Sequence, residues 1–386
     1  MKLSLLFTLA FFCFAQAQTF EGTIIDLTTG EPIEMVSVFI KNSGTSTVSN
    51  SEGRYRISAS PTQTVHFSHM GYRPHNVTAD SPEKLKEVYL EPLSFALEEV
   101  VVLNRPIKDV LKDLIKNSDA NLDKKLMIDT YNREFMKKSG NYISFADGLL
   151  QYHIKRKSGA SDVYVEQSRA YSPNPEERNN TKHVTFDVRD EITDAYKFIH
   201  LKLIGNSFHD FKVTNINSGE SSLIRINFSP NTLETIRNLP VYKGYIVYDQ
   251  KSNLILELDQ ESVERDKEFS MTIFGVTFGV QKIMRKASFR IENGKYILVY
   301  NQLRSHFSVE SKKIPRTEYQ LMNDLVTLKY TEGVTKKDRS TRFRGKELFD
   351  AGTNFTTNYW KTGNILVLTG EEEKIIRQLE SETLSP

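Results

Sequence analysis

Thr19-Phe20-Glu21-Gly22-Thr23-Ile24-Ile25-Asp26 is followed by Thr29-Gly30-Glu31-Pro32-Ile33 and then by Val36-Ser37-Val38-Phe39-Ile40. β-Branched and aromatic residues suit pleated faces, while Gly30 and Pro32 suit turn backbone angles, so this passage predicts two strands about a turn. Asn50-Ser51-Glu52-Gly53 marks a second turn, leading into Arg54-Tyr55-Arg56-Ile57 with Tyr55 and Ile57 on one face. A further strand runs from Thr64 to Met70 and ends at Gly71-Tyr72. Short strands at this spacing predict a β-sandwich. Its expected core is Ile24, Val36, Val38, Ile40, Tyr55, Ile57, Val65, Phe67 and Tyr72.

The ordered set Gly22-x-x-x-Asp26, Thr29-Gly30-Glu31-Pro32-Ile33, Val36-Ser37-Val38, Asn50-x-x-Gly53-x-Tyr55-x-Ile57 and Phe67-Ser68-His69-Met70-Gly71-Tyr72 closely resembles the carboxypeptidase-regulatory-like domain, over about residues 19–95. The resemblance implies a transthyretin-like sandwich at the N-terminus of a bacterial cell-envelope protein. It implies an accessory module without catalytic residues of its own. Leu97-Glu98-Glu99-Val100-Val101-Val102 is similar to the segment that follows this sandwich in TonB-dependent outer-membrane receptors. What comes after lacks a plug and is too short for a large barrel.

Beyond Pro106, the residues Ile107, Val110, Leu111, Leu114 and Ile115 recur at helical spacing, which predicts a packing helix through about Ser118. From Asp129 the pattern changes to alternation, as in Tyr142 to Phe145, Leu223 to Phe228, Tyr245 to Tyr248, Leu254 to Leu258 and Tyr296 to Tyr300. A large antiparallel sheet follows from this, with residues 242–255 as one hairpin turned by Asp249, Ser252 and Asn253. Tyr131-Asn132-Arg133-Glu134-Phe135, Tyr142 and Phe145-Ala146-Asp147-Gly148 resemble the start of an uncharacterised region that follows the sandwich in a family of envelope proteins, although those relatives usually carry Glu-Ala where Ala146-Asp147 stands. The hairpin is similar to those of lipoprotein-carrier half-barrels, which hold acyl chains between a curved sheet and a helix. Against an integral outer-membrane barrel stands the segment Glu371 to Glu380, which reads as a helix with an acidic N-terminus and not as a strand with a terminal aromatic.

At the N-terminus, Lys2, the apolar run Leu3 to Phe14 and Ala15-Gln16-Ala17 make a charged region, a hydrophobic region and an Ala-x-Ala cleavage site. The run is too short to span a bilayer as a helix, and no later stretch is long enough. Ala10-Phe11-Phe12 lacks the small residue that a lipid-modified Cys13 would need beside it. Cys13 is the single cysteine of the 386-residue chain, so the exported form is expected to lack disulfides, thiolate nucleophiles and cysteine-bound metals. Lys and Arg total 51 against 49 Asp and Glu, a formal charge of +2, which gives no chain-wide attraction for nucleic acid or an anionic membrane.

The sequence carries no recognisable catalytic motif. None of the eight histidines, His66, His69, His75, His153, His183, His200, His209 and His306, is followed three residues later by Glu, and no His-Glu-x-x-His occurs. His66, His69 and His75 cluster, but they are expected as solvated strand-edge residues, with His66 and His69 on opposite faces unless a bulge intervenes. Gly275-Val276-Thr277-Phe278-Gly279 imitates a nucleophile elbow, yet β-like sequence on both sides makes it a glycine-bounded bend. No phosphate loop, dinucleotide fingerprint or EF-hand spacing is present. The dibasic pairs Lys124-Lys125, Lys137-Lys138, Lys312-Lys313 and Lys336-Lys337 read as solvated faces. No spacing selects a carboxylate pair. The 23 Phe and 17 Tyr residues fit an ordinary core better than a cavity lining.

The resulting expectation is a mainly β protein: a leader over 1–17, a sandwich over 18–95, a linker and helix over 96–125, and an antiparallel β-rich domain with a C-terminal helix over 126–386, with the curling of that sheet into a half-barrel left open. No catalytic residue, cofactor-binding residue, metal ligand or cofactor is assigned. The expected role is non-enzymatic binding of a protein, glycan or lipid in the envelope, either periplasmic or associated with the outer membrane. The alternative is an envelope hydrolase with a site built from dispersed carboxylates in the second domain. N-terminal sequencing of exported protein should give Gln18 as the first residue. An intact Met1, or a lipid on Cys13, would contradict the leader reading.

Overall fold

A computed structural model of the chain describes residues 17–93, 101–122, 126–154, 161–179, 187–192, 199–204, 208–218, 221–231, 241–263, 269–273, 275–312, 314–333 and 337–384. Residues 1–16 of the leader expected over 1–17, including Cys13, lie outside the described residues, as do Leu97 to Val100 of the receptor-like segment. No helix among the described residues is long and apolar enough to cross a membrane.

The N-terminal strands are β1 (Gln18–Asp26), β2 (Ser37–Ile40), β3 (Ser46–Val48), β4 (Arg54–Ala59), β5 (Thr64–Ser68), β6 (His75–Thr78) and β7 (Glu87–Leu90). They form two sheets, β4-β1-β7 and β3-β2-β5-β6, facing each other. All nine residues expected in the sandwich core are found there, with Tyr72 at its margin. The motif residues explain the turns. Asp26 Oδ1 accepts the Thr28 and Thr29 amides at 2.7 and 2.9 Å, and its Oδ2 accepts the Tyr72 hydroxyl at 2.8 Å. Asn50 Oδ1 accepts the Glu52 and Arg54 amides at 3.0 and 2.8 Å. Gly22 is needed for close approach, because a Cβ there would lie 1.9 Å from the Leu85 carbonyl oxygen.

The remaining strands are β8 (Leu126–Lys138), β9 (Asn141–His153), β10 (Asp162–Tyr171), β11 (His209–Ser218), β12 (Ser221–Pro230), β13 (Tyr242–Asp249), β14 (Leu254–Ser262), β15 (Phe269–Ile273), β16 (Val276–Glu292), β17 (Lys295–Ser311) and β18 (Thr317–Glu332). They make one antiparallel sheet in the order β10-β9-β8-β18-β17-β16-β14-β13-β12-β11, with β15 hairpinned onto β16. The sheet is open, not a closed barrel, because β10 and β11 are its two edges. The expected hairpin is β13–β14, with Asn253 at a φ of 53° and the Ser252 amide on Asp249 Oδ2 at 2.8 Å. Gly275, at a φ of 79°, lies at the β15–β16 turn, so the elbow-like pentapeptide is a hairpin end with no helix behind it.

Period-two alternation gives the sheet two different faces. One is apolar: Ile128, Leu150, Leu258, Ile246 and Ile226 pack with Val110, Leu111 and Leu114 of the helix Ile107–Asn121. Ser118 of that helix accepts the Ile255 amide at 3.0 Å, tying helix to sheet. The opposite face carries a cross-strand row of directly opposed residues: Arg169, Asp147, Arg133, Asp324, Gln302, Lys286, Asp259 and Tyr245. Their charges alternate in sign along much of the row, and several are paired. Arg169 reaches Asp147 at 2.5 Å, while Arg133 and Arg304 reach Asp324 at 2.7 and 2.6 Å.

That polar face is covered by the sandwich and by residues 358–384. Ser46 and Thr47 donate to the Thr327 and Ile365 carbonyls at 2.7 and 3.1 Å, and Asn50 Nδ2 donates to Val367 O at 3.1 Å. Gly44, at a φ of 70°, lets the β2–β3 turn approach Tyr330, whose carbonyl oxygen would lie 2.9 Å from a Cβ. Met35 and Val48 leave the sandwich core and join Tyr131, Tyr300, Val326 and Ile365 in an interface cluster. At the other side, the Tyr359 hydroxyl donates to Asp147 at 2.7 Å and Arg133 donates to Glu372 at 2.9 Å. Glu372 also closes a capping box with Thr369 at the start of the helix Gly370–Leu384, through contacts of 2.8 and 3.2 Å. The helix expected from Glu371 to Glu380 is therefore present and slightly longer.

Val48 is fully buried, but in the interface cluster and not in the sandwich core. Val48→Asp should place an unpaired charge at that seam at a cost of about 3–5 kcal/mol. Calorimetry of the full chain should then show two thermal transitions where the parent shows one. A single, uniformly lowered transition would mean that sandwich and sheet do not separate along this seam.

Candidate functional site

Between the sandwich and the polar face of the sheet lies a cavity of about 540 Å³. One wall comes from β2, β5 and the loop after β5, with Phe39, His66, His69 and Met70. The other comes from β14, β16 and β17, with Glu257, Phe289, Arg290 and Tyr300. A smaller cavity of about 50 Å³ adjoins it and shares His69, Glu257 and Tyr300. Neither unit contains this space alone.

Of the three clustered histidines expected at solvated strand edges, only His75 is one. His75 is exposed in β6, as a strand-edge residue should be. His66 and His69 instead line the cavity together. β5 ends at Ser68, and the turn after it brings His69 back to the side that His66 faces, so strand alternation no longer separates them. The His66 ring stacks on Phe39 at a centroid distance of 5.3 Å, and its Nδ1 lies 2.6 Å from Asn76 Oδ1. His69 Nδ1 accepts the Gly71 amide at 3.2 Å. Burial first, and Lys286 second, push His69 down to a pKa of about 4, so its ring is neutral at physiological pH. The motif Phe67 to Tyr72 thus supplies both a core residue and a cavity wall.

Met35 reaches the seam through a left-handed backbone, with a φ of 60° that non-glycine residues seldom adopt. Its amide is held by the Ser49 carbonyl at 3.0 Å, and its side chain lines both cavities. On the opposite wall, Glu257 is buried and accepts the Tyr245 hydroxyl at 2.5 Å. Burial is the main cause that pushes the Glu257 carboxyl up to about 7, while the Tyr245 hydrogen bond works against it. Arg225 lies over the Tyr245 ring, its guanidinium carbon 3.8 Å from the centroid.

Arg290, largely buried, pairs with the buried Glu292 on the same wall. Its Nε donates to Glu292 Oε2 at 2.9 Å, Glu292 Oε1 accepts the Asn42 amide at 3.1 Å, and the guanidinium carbon lies 4.8 Å from the centre of the Phe39 ring. Glu257, Arg290, Tyr245 and Tyr300 were not singled out by the sequence. Glu257 and Asp259 stand two apart in β14, which marks one face of the strand, but the sequence carries no signal for what covers that face. Among the described residues no group of three His, Cys, Asp or Glu is placed to hold a metal.

Residues 20–102 match the CarboxypepD_reg-like domain family, which places the N-terminal sandwich in that family and confirms the resemblance carried by its turn motifs. No curated protein matches the chain. Among solved structures, lipovitellin is similar at 7% identity and a TM-score of 0.26, over 62% of this chain and 28% of its own length. A LolA superfamily protein from Nitrosomonas europaea is similar at 8% identity and a TM-score of 0.22, over 61% of this chain and 97% of its own. A DUF1329 family protein from Desulfovibrio piger is similar at 10% identity and a TM-score of 0.22, over 60% of this chain and 96% of its own. Scores this low carry neither a shared fold nor a ligand across to this protein.

Glu257 makes the site sensitive to pH in a defined direction. Its folded pKa of about 7 exceeds the ordinary 4.5, so the folded chain holds a proton that the unfolded chain has lost. The stability linked to that proton is complete below pH 4.5 and is lost as pH rises through 7. Glu257→Gln, which cannot ionise, should match the parent in urea denaturation at pH 4 and exceed it at pH 8 by roughly 3 kcal/mol. Equal stabilities at pH 8 would show that the carboxyl is not desolvated.

Proposed function

We propose that this protein is a non-enzymatic binding protein of the cell envelope, exported through its leader, and that its ligand seats in the cavity between sandwich and sheet. The observation that carries the reading is the cavity itself. Its volume falls in the range of small-molecule sites, and it combines aromatic walls with a few buried polar groups that can fix orientation. A space of this size suits a small molecule or one end of a larger one, such as a lipid headgroup or a terminal sugar. The sandwich then acts as half of the binding site and not merely as a spacer, which fits its accessory character.

Glu257 favours a second reading, an envelope hydrolase. A carboxyl with a pKa near 7 in a cleft is suited to proton transfer. Its neighbour on the strand, Asp259, lies 3.6 Å from Lys286, so an acid and a carboxylate share one wall. The cavity with its unmatched Arg290 donors supports binding as the first reading, with the hydrolase as the alternative.

Ser68 is exposed at the cavity margin, so Ser68→Trp should obstruct entry without entering the sandwich core. Protein purified from its native envelope, extracted and analysed by mass spectrometry, should release a near-stoichiometric small molecule that the Ser68→Trp form lacks. The molecule should be unaltered after prolonged incubation. Absence of any retained molecule from the parent would contradict binding, and its conversion to cleavage products that Glu257→Gln fails to form would establish the hydrolase.

A further inference from the structure

Building on that binding reading, we propose that the ligand bears an anionic group, a carboxylate or a phosphate, joined to an apolar or aromatic body, and that Arg290 recognises the anion. Arg290 commits only Nε to Glu292; Nη1 and Nη2 are both buried and have no hydrogen-bond partner among the described residues. A guanidinium does not shed its proton in proteins, so these groups remain cationic donors, and leaving them unmatched costs stability. Two terminal N–H groups in a planar fork fit the two oxygens of a carboxylate or phosphate.

The surroundings hold that fork in place. Glu292 anchors its inner edge, and Phe39 lies beside the guanidinium while stacking on His66. Ser37 Oγ, also buried and without a partner, adds a further donor to the same cavity. Lys41 lies exposed at the margin and adds positive charge where an anion would enter. Met35, Val299 and Tyr300 supply the apolar wall for the body of the ligand.

The chemistry distinguishes an anion from a cation. A cationic ligand would have to sit beside the Arg290 charge, and Glu257, which accepts from Tyr245 through Oε1 and keeps its proton up to about pH 7, offers it little countercharge. Among the buried polar atoms that line the cavity, those without a partner are the two Arg290 nitrogens and the Ser37 hydroxyl, which can give as well as accept. Glu292 balances one positive charge, so recognition rests on hydrogen-bond geometry and local desolvation more than on net charge.

Calorimetric titration of the full exported chain with phenyl phosphate, benzoate and benzyl alcohol tests the proposal. At least one of the two anions should bind ten times more tightly than benzyl alcohol or better, and Arg290→Gln should abolish that preference while retaining weak binding of the alcohol. If Arg290→Gln does not fold, the parent labelled with nitrogen-15 arginine decides instead. Its Arg290 Nη resonances should shift on addition of the preferred anion and stay in place with benzyl alcohol. Vesicles of phosphatidylglycerol against phosphatidylcholine separate the sources: preferential capture of the former, lost in Arg290→Gln, assigns the anion to a lipid headgroup. Equal capture of the two vesicles alongside anion-selective binding assigns it to a free small molecule. Equal affinity for anions and alcohol, or an anion preference that survives Arg290→Gln, overturns the inference and leaves a neutral-ligand cavity. Failure of all three small probes and both vesicles to bind contradicts the binding function itself.

Discussion

The alternating row of charges across one face of the large sheet is the constraint on which the rest of the molecule depends. Arg169, Asp147, Arg133, Asp324, Lys286 and Asp259 are consecutive or near-consecutive cross-strand neighbours, and several of them are buried. Such a row is stable under cover only if every charge meets an opposite charge or a hydrogen-bond partner. The pairs within the row meet part of that demand. Arg133 and Arg304 hold the Asp324 carboxylate down at a pKa of about 2, against the burial that opposes ionisation.

The cover must therefore be polar where it touches, and both covering pieces are. The sandwich presents Ser46, Thr47 and Asn50, and the C-terminal segment presents Tyr359 and Glu372. Asn50 serves twice, shaping its own turn through Oδ1 and reaching Val367 through Nδ2. Because Val367 belongs to the C-terminal segment, the two covers are also fastened to each other. The cavity opens where the sandwich bridges β14 and β16, with Arg290 and Glu257 on the sheet beneath it. The site is in this sense a consequence of how a charged sheet face is roofed.

How much of this is legible in the sequence depends on the range of the signal. Asp26, Asn50 and Gly53 act on neighbouring residues, so their turns and the strands between them could be read directly. Ile107 to Ile115 repeats at helical spacing and is a helix, and the residue 242–255 hairpin is where its turn chemistry puts it. The short strands β3, β6 and β7 were not resolved by pattern, since three or four residues give alternation too little length. The site was hidden for a different reason. Alternation identifies which residues share a face, but whether that face meets water or another layer is settled by contacts hundreds of residues apart, such as Ser46 with Thr327. His69 looked solvated for the same reason, as nothing local shows that Tyr300 and Glu257 will enclose it.

Hydrogen exchange at the two edges of the β3-β2-β5-β6 sheet tests most directly whether the sandwich is docked by its β3 side onto the charged face. Both edges belong to one small sheet, yet β3 is wholly buried and β6 largely exposed. In the full chain, amides of residues 46–48 should exchange at least tenfold more slowly than those of residues 75–78. Comparable rates at the two edges would mean that β3 is open to water, and both the roofed sheet and the cavity beneath it would have to be abandoned.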